Sequence, residues 1–119
     1  MAANNDIVRY GGNGRRSTCV AHGGLVYVSG ITTVDIEAKT ADQARDIFAQ
    51  IDKVLASFGT DKRRVLTTTV YLTSIEDYGA FNSAWDEWVV DGYEPARSVV
   101  QAQLALPEYR VKVSLVAAQ

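Results

Sequence analysis

In the run Pro95-Ala96-Arg97-Ser98-Val99-Val100, one arginine stands among small and β-branched residues directly after a proline. That composition predicts a strand beginning at the proline and carrying a cation on one face. A guanidinium held on a strand is a rigid two-pronged donor, suited to a carboxylate or a phosphate. If residues 97–104 are extended, Arg97, Val99, Gln101 and Gln103 share one face, while Ser98, Val100, Ala102 and Leu104 share the other. The second set is expected to face the core and the first to line a cleft. The competing assignment for Arg97 is a structural ion pair or a solvated edge position.

Other reactive types are sparse. His22 is the only histidine and Cys19 the only cysteine, so neither a zinc-type ligand set nor an intramolecular disulfide is available, and no metal or cofactor is expected. Any Ser-His-Asp or Cys-His arrangement would have to use His22, which precedes Gly23-Gly24 in an expected turn and is read as a surface or interface residue. The glycine-rich stretch Gly11-Gly12-Asn13-Gly14 lacks the Lys-Ser/Thr ending of a phosphate loop and is read as a connecting loop. A net charge of −2 and a pI near 5.3 give no basic field for nucleic acid, despite the local clusters Arg15-Arg16 and Lys62-Arg63-Arg64. No apolar run reaches bilayer length and no leader pattern opens the chain, so no membrane partner and a cytoplasmic setting are expected.

The 119 residues fit one domain, 1–119, with enough apolar content to bury a core. Positioning Arg97 falls to the following elements. Residues 7–10 suggest a short strand; 17–21 and 25–29, parted by His22-Gly23-Gly24, suggest a hairpin whose second strand ends at Gly30. Thr40-Ala41-Asp42-Gln43 has capping-box spacing ahead of a helix with apolar residues at 47, 48, 51, 54, 55 and 58, and Gly59 supplies the stop. Val65 to Leu72 is strongly β-branched and reads as a strand. Ser74 starts a second helix with an aromatic stripe of Tyr78, Phe81, Trp85 and Trp88, read as core packing, and Asp91-Gly92 closes it. Strands at 97–104 and 111–116 complete an α+β domain: two helices packed on one mostly antiparallel sheet. Two helices cover one sheet face, so the other is either polar or buried between subunits, and oligomerisation is expected.

Together these segments resemble the RidA (reactive intermediate deaminase, or YjgF) family. The resemblance is carried by the hairpin ending Val26-Tyr27-Val28-Ser29-Gly30, the helix ending Leu55-Ala56-Ser57-Phe58-Gly59, and the Val65 to Leu72 strand. It continues through Tyr78, Phe81-Asn82 and Trp85, Pro95-Ala96-Arg97-Ser98-Val99, Leu106-Pro107 and Val111 to Ala118. It implies a chorismate-mutase-like fold, a homotrimer around a central barrel, and clefts between subunits. It further implies cofactor-independent hydrolysis of enamine or imine carboxylates, such as 2-aminoacrylate, to 2-oxo acids and ammonia. In that scheme Arg97 binds the carboxylate of a small metabolite, and the backbone at Val99 and the Ser29-Gly30-Ile31 segment line the cleft.

The chain departs from the family at several of these places. Lys112 and Ser114 stand where deaminases of this type carry acidic residues, and Arg16 replaces a tyrosine near the first cleft loop. The anion anchor is retained and positive charge is added, while the usual water-positioning carboxylate is missing. Two functional expectations follow: a divergent imine deaminase using Arg97, with Lys112 as a candidate catalytic group, or a non-catalytic trimeric module binding a small carboxylate. A ribonuclease activity, a label given to some members, is the weakest reading for an acidic chain with one histidine.

Overall fold

The computed structural model describes residues 6–119. Its strands are β1 (Val8–Tyr10), β2 (Cys19–His22), β3 (Leu25–Ile31), β4 (Val65–Leu72), β5 (Ala96–Gln101) and β6 (Val111–Ala118). The helices are α1 (Thr40–Ser57) and α2 (Tyr78–Trp88), and short 3-10 turns at Lys62–Arg64 and Ile75–Asp77 precede β4 and α2. The strands form one sheet in the order β1-β2-β3-β6-β4-β5. All pairs are antiparallel except β4 with β5. That exception follows from connectivity: α2 returns the chain to the same end of the sheet, so β5 has to run parallel to β4.

The core lies between one sheet face and the helices. Val26, Val28, Val70, Leu72, Val111, Val113 and Leu115 project from the strands onto Ile47, Ile51 and Leu55 of α1 and Phe81 of α2, all buried. Removing each such side chain from water contributes about 1.5–3 kcal/mol. Between the helices Phe48 stacks on Trp88, with centroids 4.5 Å apart and planes 8° from parallel, and Phe81 and Trp85 complete the aromatic cluster. The stripe expected to be core is core, apart from Tyr78, which is 41% exposed.

Four local expectations are corrected. The capping box does not form: Lys39 occupies the N-cap without a side-chain bond. Gln43 instead turns inward, donating to the carbonyls of Ala38 and Glu108 and accepting from the Arg110 amide. One buried side chain thus serves three backbone groups of the loops at Ala38 and Glu108–Arg110, which outweighs one helix-end N–H exposed to water. Helix α2 ends at Trp88, because Val89 leaves with ψ 146°, and Gly92 (φ +88°) serves the turn beyond. The second strand continues through Gly30 to Ile31 across a register shift. Finally β5 stops at Gln101, and its faces are inverted from expectation: Arg97 and Val99 face the helices, while Ser98 and Val100 are exposed. Both sets mix small, polar and apolar residues, so alternation alone cannot tell which face α2 covers. The stop of α1 is as expected, with Gly59 at φ +73° just beyond it.

Candidate functional site

Arg97 sits on edge strand β5 beneath α2, and its environment is built by that helix. Its Nη1 donates to Asn82 Oδ1 (2.9 Å) and its Nη2 to the Tyr78 hydroxyl (3.1 Å). The guanidinium carbon lies 4.9 Å from the Trp85 ring centroid, with Tyr78 and Phe81 rings near 6 Å. Tyr78, Asn82 and Trp85 recur at helical spacing, so successive turns of α2 present them to one place. Stacking on aromatic faces holds the cation in plane and restricts its rotamers. Its hydrogen-bond partners are neutral, and among the described residues no carboxylate pairs with it. The structural ion pair is therefore not what Arg97 makes. What remains is a preoriented, uncompensated positive charge with N–H donors to spare. Thr68, its direct neighbour on β4, has a buried hydroxyl without a hydrogen-bond partner among the described residues.

A second cluster gathers on β3 and β6. Arg16 Nη1 donates to Ser29 Oγ (3.2 Å) and to Thr18 Oγ1 (3.4 Å), again neutral partners. Lys112 crosses Gly30 so closely that a Cβ at residue 30 would collide with its Cε. Glycine is what lets the lysine stem lie flat there. Lys112, Gly30, Tyr71, Gln103 and Ser114 line a cleft of about 420 Å³ on the face of the sheet away from the helices. Ile31 pairs with Val113 and buries its side chain on the helix face, so only its backbone is placed to line a cleft.

Within one chain these two clusters do not meet. Arg97 points to the helix side of β5, whereas Lys112 projects from the other side of β6, two strands away. Side chains on opposite sheet faces cannot share one small ligand. Arg16, Ser29, Gly30 and Lys112 are brought together; Arg97 and Val99 stand apart from them. Asn82, Tyr78 and Trp85 were not singled out as Arg97 partners from the sequence. The available signal was Asn82, the polar residue set into an aromatic stripe. A larger recess of about 870 Å³ opens beside His22, Phe58 and Gln119, but Ser57 at its rim is already bonded to the Lys53 carbonyl and no relay forms there. No group of three His, Cys, Asp or Glu side chains suited to a metal occurs among the described residues.

Residues 9–119 match the family model described as Endoribonuclease L-PSP. The chain belongs to the YjgF family. Among YjgF-family relatives, the RutC family protein YoaB of Escherichia coli is 39% identical over 94% of this chain and 97% of its own length. A RutC family protein of Haemophilus ducreyi is 37% identical over 94% and 96%. Among solved structures, a YjgF family protein from Neisseria meningitidis superposes with a TM-score of 0.94 at 40% identity, covering 98% of this chain and 97% of the other. A protein from Salmonella typhimurium, described as a putative translation initiation inhibitor, gives 0.90 at 36% identity over 97% and 99%. The YjgF-family fold of this chain is thus shared almost end to end.

Proposed function

We propose that the protein is an imine/enamine deaminase that hydrolyses small 2-imino carboxylates to 2-oxo acids and ammonia, with Arg97 anchoring the substrate carboxylate. The observation that carries this reading is the uncompensated Arg97 guanidinium, stacked on Trp85 and fixed by Asn82 and Tyr78. A two-pronged donor orients the carboxylate, and with it the adjacent C=N carbon, toward water. Water adds to the protonated C=N carbon, its proton passes to nitrogen, and the carbinolamine collapses to a carbonyl and ammonia. The enamine form first takes a proton at its β-carbon. No cofactor is required by this balance.

The site is completed in this proposal by a second copy of the chain. A homotrimer with clefts between subunits brings Arg97 of one copy to the Ser29-Gly30-Ile31 segment, Arg16 and Lys112 of another, with the Val99 backbone at the same cleft. The half-exposed Tyr27 and Val100 on the helix-free sheet face support such packing. A cytoplasmic setting belongs to the same proposal; among the described residues no helix is long and apolar enough to cross a membrane.

A non-catalytic carboxylate-binding module is the second reading, favoured by Lys112 and Ser114 where an acid-base carboxylate is expected. An amino acid oxidase generating imines in situ separates the two. Faster release of ammonia and 2-oxo acid in the presence of the protein, lost in Arg97→Ala, supports the deaminase. Binding of 2-oxo acids without acceleration points to the module. RNA cleavage, suggested by the family model's description, has no support from the charge of −2.

A further inference from the structure

We infer that the site is built for an imino acid bearing a second carboxylate, one held by Arg97 and the other by Lys112. This inference rests on the proposed deaminase reading and names its substrate class. Three cations, Arg16, Arg97 and Lys112, belong to the proposed cleft, and none has a carboxylate partner among the described residues. The named lining of the Lys112 cleft contains hydroxyls and an amide, from Tyr71, Ser114 and Gln103, but no acid. A monocarboxylate would satisfy Arg97 and leave the Lys112 ammonium facing only neutral dipoles. A second carboxylate gives that ammonium a charged acceptor, the stronger kind of hydrogen bond.

The local structure fixes where that second group would sit. Lys112 is partly buried, and its stem lies over Gly30, so its reach is limited to the cleft of about 420 Å³. Arg16 flanks the same step through Ser29, adding to the positive potential without needing direct contact. That cleft receives the second carboxylate, while Arg97 of the neighbouring copy holds the first. In this assignment Lys112 determines specificity through its charge, and proton transfer is left to water and the substrate.

The test is calorimetric titration of the full-length protein with 2-oxoglutarate and with 2-oxobutanoate, product analogues that differ by one carboxylate. Wild type is expected to bind the dicarboxylate about tenfold more tightly. Lys112→Gln should bring the ratio of the two affinities to about one, and Lys112→Glu should reverse it. Equal affinities in wild type, or a preference untouched by Lys112→Gln, would overturn the inference while leaving the deaminase reading in place. Failure of both 2-oxo acids to bind would overturn the inference too, and the imine-hydrolysis assay then decides the deaminase reading separately. The wild-type comparison stands whatever the variants' folding, which circular dichroism checks separately.

Discussion

Arg97 combines an aromatic bed with two neutral acceptors, so in the proposed site it acts on a carboxylate through both charge and direction. Arg97→Ala should reduce kcat/KM for imine hydrolysis by about 100-fold or more, and Arg97→Lys should recover only part of it, since an ammonium cannot make the parallel pair of bonds. Asn82→Ala removes the 2.9 Å bond that aims the guanidinium. A loss of about tenfold, mostly in KM, is expected in steady-state assays. Cys19 behaves differently. It is 1% exposed, and burial pushes its thiol from 9.0 up to about 11. The raised value means the folded state holds its proton longer than the unfolded chain, so this contribution is complete below pH 9 and lost between about pH 9 and 11. Denaturant titrations of wild type and Cys19→Ala should therefore show their stability difference shifting by about 2–3 kcal/mol against wild type across that range. A constant difference would show that the thiol is not desolvated.

At the scale of elements, Gln43 ties the start of α1 to the approach of β6. Its amide serves the Ala38 and Glu108 carbonyls and the Arg110 amide, and the side chain is fully buried. Gln43→Ala would strand three backbone groups, and a loss of about 2–4 kcal/mol is expected in urea unfolding. Because β6 carries Lys112 two residues after Arg110, that variant should also blunt any 2-oxo acid preference. The aromatic cluster joins α1 to α2 and thereby fixes the helix that aims Arg97. Phe48→Ala removes the ring stacked on Trp88 and should cost about 3–5 kcal/mol. Thermal melts read the stability loss, and retained activity at low temperature in a folded variant would show that α2 holds its place without the stack.

For the whole molecule, the proposed function couples assembly and activity through the helix-free sheet face. Tyr27 and Val100 are each close to half exposed there, and a small ligand cannot bridge Arg97 and Lys112 of one chain. Light scattering is expected to give a particle near three times the 13.0 kDa chain mass. Val100→Lys places a charge on that face without touching the core. It should yield a folded monomer with imine hydrolysis lost together with the assembly. An active monomer would mean that one chain completes the site by itself.

The sequence alone determined the element order, the hairpin, the two amphipathic helices and the Gly59 stop, because hydrophobic period and turn chemistry are local properties of the chain. It also marked Arg97, since a lone cation in a strand of small residues is visible without coordinates. Tertiary structure decided which face of β5 carries that cation inward, because α2 covers β5 only after the parallel crossover from β4 is made. It likewise gave Gln43 to the loops rather than to a helix cap, and laid Lys112 across Gly30. Each depends on residues distant in sequence competing for one buried partner or one small space, and that competition is settled by packing.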